Sequence, residues 1–216
     1  DAEGGFGRAT HFLFGDAQQL VVADLNGDEL LDVAAHRPSR RDVMILLGSG
    51  DGTFQTAVSY PTGRGAGLIA VGDINNDRVP DIVATNREIH EVAILLGVGD
   101  GTFEPSDYYV AAARPIALVL SDFNNDGRLD IATANDDSKE TWVMLGAGDG
   151  TFGAPGMRRE RFGRYPHDLA IADLDGDRRL DIVTANLRDN DVSVLLGNGG
   201  ATFQNAVHYD AGSGAA

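Results

Sequence analysis

The chain has 216 residues, enough for one sizeable core or a short repeat array, and its 33 acidic against 17 basic side chains give a formal net charge of −16. That charge argues against a nucleic-acid binder, and the lack of cysteine removes disulfides and thiolate metal sites. No apolar run approaches the roughly 20 residues of a membrane helix, so membrane insertion is not expected.

The chain opens on DAEGG, without Met or a secretion signal, which reads as a processed end. The segment GGFGRATHFLFG (Gly4 to Gly15) follows and reads as an outer strand. Its counterpart at the other end is ATFQNAVHYDAG (Ala201 to Gly212).

Next comes a unit that recurs. An apolar run (LVVAD) enters an acidic loop, DLNGDELLD (Asp24 to Asp32), and a second run (LDVAAHR) leaves it. A third run (DVMILLG) reaches a glycine turn, and a fourth segment (GDGTFQTAVSY) closes the unit. The acidic loop returns as DINNDRVPD (Asp73 to Asp81), DFNNDGRLD (Asp122 to Asp130) and DLDGDRRLD (Asp173 to Asp181). Their starts are 49, 49 and 51 residues apart, and a fixed period of this length marks a repeat architecture. The runs are short, rich in Val, Ile and Leu, and bounded by Gly, Asp and Asn, so they predict strands.

Four antiparallel strands per unit is the content of a propeller blade. The expected fold is all-β: a propeller-type array of four four-stranded antiparallel blades in one repeat domain, residues 1–216. The blades fall at about 16–63, 64–112, 113–163 and 164–212, with residues 4–15 an additional outer-strand copy. The turns Gly48 to Phe54, Gly97 to Phe103 and Gly146 to Phe152 place glycine where a hairpin needs positive φ, and each Phe can plug the gap between blades.

The D-x-[ND]-x-D-x-x-x-D loop, its LD-[IV] exit, the third strand ending LLG and the GDGTF turn together resemble the FG-GAP/VCBS repeats. These are calcium-binding propeller blades, also found in integrin alpha-subunit heads and bacterial surface proteins. The resemblance runs from Phe6 to about Tyr209. Calcium loops of this kind, with the missing cysteines, lead to the expectation of a secreted, extracellular or cell-surface protein.

The acids have a physical reason. Calcium takes six to eight hard oxygens in flexible geometry, whereas magnesium keeps its waters and zinc prefers His and Cys. A tight hairpin with side-chain oxygens at positions 1, 3, 5 and 9 and a carbonyl at 7 supplies such donors. The first two sets are Asp24, Asn26, Asp28, Leu30, Asp32 and Asp73, Asn75, Asp77, Val79, Asp81. The others are Asp122, Asn124, Asp126, Arg128, Asp130 and Asp173, Asp175, Asp177, Arg179, Asp181. Up to four Ca2+ ions are expected, in a structural role, bringing the net charge to about −8. Position 6 is glycine only at Gly127; Glu29, Arg78 and Arg178 stand there otherwise, and Pro80 restricts its neighbour. The third loop therefore ranks first and the second last.

In such a blade the 2–3 and 4–1 connections lie opposite the acidic loops. They hold Arg37, Arg40, Arg41, Arg64, Arg87, Arg114, Lys139, Arg158, Arg159, Arg161, Arg164 and Arg188, which is 12 of the 17 basic residues. The longest connection reads MRRERFGRYPH (Met157 to His167). Arginine forks bind carboxylate, sulfate and phosphate, and rings beside them suit sugar faces. Arg37, Arg40, Arg41, Arg64, Arg87, Arg158, Arg159, Arg161, Arg164 and Tyr165 are thus candidates for binding an acidic glycan or an acidic protein surface.

Catalysis is not expected: the five histidines are scattered, and no nucleophile elbow or H-E-x-x-H occurs. The spare outer strand leaves three arrangements open: a small four-bladed ring, a segment of a longer array, or copies self-associating through terminal strands into a ring or filament.

Overall fold

The computed structural model describes residues 11–12, 15–111, 113–153, 156–161 and 165–212, the side chains of Ala66 and 156–161 excepted. Among these residues the chain is all-β. Sheet one holds β1 (Gln19–Ala23), β2 (Asp32–Arg37), β3 (Asp42–Leu46) and β4 (Val58–Pro61). Sheet two holds β5 (Ala66–Gly72), β6 (Asp81–Asn86), β7 (Glu91–Leu95) and β8 (Asp107–Val110). Sheet three holds β9 (Pro115–Ser121), β10 (Asp130–Asn135), β11 (Glu140–Met144) and β12 (Gly156–Arg161). Sheet four holds β13 (Pro166–Ala172), β14 (Asp181–Asn186), β15 (Asp191–Leu195) and β18 (Val207–Asp210), beside a ribbon of β16 (Gly197–Gly199) and β17 (Thr202–Phe203). Every pairing is antiparallel and joins strands consecutive in the chain, except that β15 pairs with β18 across the β16–β17 ribbon, so the 1–2 and 3–4 connections share one end of each sheet.

The sheets pack face to face in chain order. Val43, Ile45, Ile82 and Leu95 fill the first gap; Val83, Ile94, Ile131 and Met144 the second; Ala132, Val143, Ile182 and Leu195 the third. The second strands are buried along their whole length in the first three sheets, because a neighbour or the N-terminal flank covers each face. That double burial explains their unbroken apolar runs.

The aromatic plug is present. Phe103 meets Tyr60 of the preceding sheet edge-on at 5.4 Å, and Phe152 meets Tyr109 at 5.5 Å. Phe54 meets Phe12 at 5.0 Å, and Phe12 comes from the segment read as a spare outer strand. The remainder of residues 4–15 lies mostly outside the described residues.

The turn glycine is required by close approach. A Cβ on Gly48, Gly97, Gly146 or Gly197 would sit 2.2–2.4 Å from the carbonyl oxygen of Leu31, Pro80, Leu129 or Leu180. The fourth segment of each unit is interrupted: Phe54, Phe103 and Phe152 bridge back to Gly48, Gly97 and Gly146, and the outer strand starts only several residues later.

One segment was misread from the sequence. Met157 to His167 is not a single connection, because Gly156–Arg161 forms β12 and Pro166 already starts β13. An outer strand at a solvent-facing edge can carry consecutive arginines without apolar alternation, so its strand signal was weak.

Candidate metal loops and basic cleft

The four acidic loops join the first and second strands of each sheet and share one fold. The position-1 aspartate accepts from the backbone N–H of position 6, at 2.9 Å for Asp24, 2.8 Å for Asp73, 2.7 Å for Asp122 and 2.9 Å for Asp173. Position 5 accepts from the N–H of position 7, as Asp28 does from Leu30 at 2.8 Å and Asp126 from Arg128 at 3.0 Å. These bonds curl the backbone, and in the fourth loop side chains 1, 3 and 5 come together. The curl demands left-handed backbone at position 6: Glu29, Arg78 and Arg178 have φ of 67°, 70° and 68°, and Gly127 has 83°.

Position 9 behaves differently. Asp32, Asp81, Asp130 and Asp181 are fully buried. One oxygen accepts from the N–H of position 2: Leu25 (2.8 Å), Ile74 (2.8 Å), Phe123 (2.9 Å) and Leu174 (2.7 Å). The other accepts from Gly48 (2.7 Å), Gly97 (2.8 Å), Gly146 (2.9 Å) and Gly197 (2.7 Å). This carboxylate ties the loop to the 3–4 turn sixteen residues on, a role the spacing did not reveal. Burial pushes Asp81 up to about 6 against those two donors, with Asp77 and Asp73 adding to the rise, and Asp130 moves the same way for the same reasons.

The donor set fits a hard divalent cation: two or three exposed or half-buried carboxylates, an amide oxygen in three copies, and no sulfur or imidazole. The fourth loop, rather than the third, gathers the densest charge. Asp173, Asp175 and Asp177 each offer an oxygen, all within 4.8 Å of one another. Loops one to three carry Asn at position 3, which donates to position 5 at 2.8–2.9 Å. Arg179 reaches Asp177 at 3.2 Å, so an ion there has a competing counter-charge.

The opposite end of the sheets carries the arginines, unevenly engaged. Arg37 is buried, with its fork on Asp42 at 2.8 and 2.6 Å and a further bond to Ser59 at 2.8 Å, so it serves the first sheet. Arg40 and Arg64 are exposed, and Arg41 lines a shallow polar recess with Asp16 and Glu88. The Arg158, Arg159 and Arg161 side chains and all of Arg164 lie outside the described residues. Arg87 and Tyr165 meet in a cleft of about 370 Å³ with Arg114, Asp136, His167, Asp168 and an apolar floor of Leu68, Ile116, Pro166 and Leu187. Arg114 lies 3.4 Å from Asp136, and the Arg188 guanidinium lies 3.9 Å above the Tyr165 ring. Arg114, Arg188 and Asp136 shape the cleft without standing among the candidates singled out from the sequence. The available signal was that one repeat position reads Pro38, Arg87, Asp136 and Leu187 between otherwise similar strands.

A single-chain array of repeated antiparallel sheets, with one acidic loop per sheet, defines the class. The chain belongs to the FG-GAP-like repeat family: residues 24–84, 73–133 and 122–184 each match that repeat. None of the curated proteins matches it in sequence. In fold it is similar to an Agrocybe aegerita lectin that recognises non-reducing terminal N-acetylglucosamine (22% identity, 87% of this chain and 50% of that one, TM-score 0.63). It is also similar to BBS1N, solved in complex with ARL6DN (14% identity, 91% of this chain and 57% of that one, TM-score 0.61). The chain thus spans about half the length of these structures. Among the described residues no helix is long and apolar enough to cross a membrane.

Proposed function

We propose that the chain is an extracellular, calcium-stabilised propeller-type module that acts by binding, without catalysis, and recognises an anionic partner in adhesion or surface interaction. The observation that carries this reading is the fourfold recurrence of one acidic hairpin, whose fourth copy gathers oxygens of Asp173, Asp175 and Asp177 within 4.8 Å of one another. Unneutralised, those carboxylates repel, and a cation at each loop offsets the repulsion. The basic residues at the other end leave that face to meet an acidic glycan or an acidic protein patch. Thermal melting in millimolar calcium, in magnesium and in EDTA tests the calcium part. The expected result is a higher Tm in calcium than in magnesium or EDTA, with the rise reduced in Asp173→Ala. Equal melting in all three would overturn it.

A second reading, a structural subunit that self-assembles through its ends, is favoured by the end faces. Leu20 is 52% exposed, while its counterparts Ile69, Leu118 and Leu169 are 3%, 8% and 6% exposed. At the other end Leu174 is 50% exposed, against 1% for Leu25 and Ile74 and 4% for Phe123. Both ends thus present the residue types that elsewhere pack against a neighbouring sheet. Light scattering over a concentration series decides: growth in mass that Leu20→Asp abolishes supports it, and a constant monomer mass removes it.

A further inference from the structure

The cleft is built by a repeated backbone device with different side chains in each copy. In sheets two, three and four the first strand carries a bulge where it enters the sheet: the pairing shifts between Ala66 and Ile69, skips Ile116, and skips His167. The first sheet pairs without interruption from Gln19 to Ala23. A bulge re-aims the side chain it frees; Ile116 and His167 stand at that position and line the cleft, while sheet two has Gly67 there and lines the cleft with the next residue, Leu68.

Just before each bulge stands a residue with positive φ: Gly65 (69°), Arg114 (62°) and Tyr165 (57°). Each gives its carbonyl to the residue leaving the second strand, Arg87 (2.7 Å), Asp136 (3.0 Å) and Leu187 (2.9 Å). Two of the three carry bulky side chains in a backbone region that favours glycine. Such strain persists where the surroundings hold it, often at ligand sites. The frame therefore sets a cation, an anion and an apolar group side by side.

Charge then narrows the ligand. Arg114 is answered by Asp136 at 3.4 Å and Asp137 at 3.8 Å, and Arg188 is seated on the Tyr165 ring. Arg87 forms no ion pair among the described residues, and its buried Nε has no hydrogen-bond partner. One guanidinium is left over. Asp136 and Asp168 in the same wall disfavour a dianion such as phosphate but can accept hydroxyl protons. Leu68, Ile116 and Leu187 suit the apolar face of a ring.

From this geometry we infer that the cleft binds a monoanionic sugar acid of the uronate type, its carboxylate on Arg87 and its hydroxyls on Asp136 and His167. This rests on the binding-module reading and assigns its ligand subsite. The carboxylate can come from a free sugar acid or from the terminal unit of an acidic glycan.

The test titrates the calcium-loaded chain by NMR and calorimetry with D-glucuronate, a glucuronate-terminated disaccharide, glucose and inorganic phosphate. Glucuronate should bind, with glucose and phosphate at least about tenfold weaker. Arg87→Gln should weaken glucuronate about tenfold or more, and Leu187→Glu, a change at a partly exposed position, should do the same by repulsion. Glu104→Gln, at an exposed position outside the cleft and the acidic loops, should leave binding unchanged. Tighter disaccharide binding would point to a glycan end, and equal binding to the free acid. The inference fails if no sugar acid binds, if phosphate binds equally well, or if neither cleft variant has an effect. Melting in calcium and EDTA on the same samples separates the outcomes: a calcium-dependent Tm without glucuronate binding defeats the cleft assignment alone.

Discussion

Arg78 sits at φ 70° in the loop curl, where an L side chain is strained and glycine is not. Arg78→Gly should therefore raise stability by about 0.5–1 kcal/mol, after allowing for glycine's greater freedom in the unfolded chain. Chemical denaturation in EDTA measures it; an unchanged midpoint would mean the loop relaxes around arginine at no cost. His36 offers a second test. It is fully buried in β2, and burial pushes its imidazole below the usual value, against smaller upward pulls from the Gly67 backbone and Asp42. The unfolded chain takes up a proton near pH 6.5 while the folded imidazole resists. Stability should thus be complete above about 6.5 and fall as pH drops below it. His36→Leu should flatten the loss of Tm between pH 7 and 5, and an unaltered slope would assign the loss elsewhere. Acids and amides spaced two apart made the acidic loops legible. Arg37 shows the limit: its sequence setting matches that of a free surface arginine, yet Asp42 and Ser59 enclose it.

Each acidic loop and the 3–4 turn beside it form one unit through the position-9 carboxylate. In Asp130→Asn one of the two acceptor oxygens is lost, leaving the N–H of Phe123 or Gly146 unanswered in a buried place. The expected cost is about 1–3 kcal/mol, and it should appear in EDTA as well as in calcium. A loss seen only in calcium would mean that Asp130 acts solely through an ion. Strands were legible wherever both faces are covered, because Val, Ile and Leu then fill every position, as in DIVATN of β6. β12 was not, since MRRER at an open edge shows neither alternation nor an apolar run. Bulges were equally hidden: Pro115-Ile116-Ala117 reads as continuous strand, and only its pairing with Ala134 and Asn135 shows the extra residue.

Among the described residues the sheets support one another mainly through their neighbours, as repeat architectures do. Four calcium sites, with calcium between Kd and ten times Kd, would each add about 0.4–1.4 kcal/mol, a sizeable part of the stability of a chain this long. Calcium removal should accordingly lower Tm by a clear margin, with the loops opening before the strands. The two ends are where the molecule departs from its own pattern, since Leu20 and Leu174 stay exposed in positions that are otherwise buried.

The repeat period, the strand count per unit, the acidic donor sets and the glycine turns are all local or periodic features, written within a dozen neighbouring residues and repeated until unmistakable. The clamp from Asp32 to Gly48, the meeting of Arg87 with Asp136 and Tyr165, and the bare faces at Leu20 and Leu174 depend on residues far apart in the chain. Packing of one sheet on the next brings those groups together, or leaves them uncovered, and no local pattern encodes that distance.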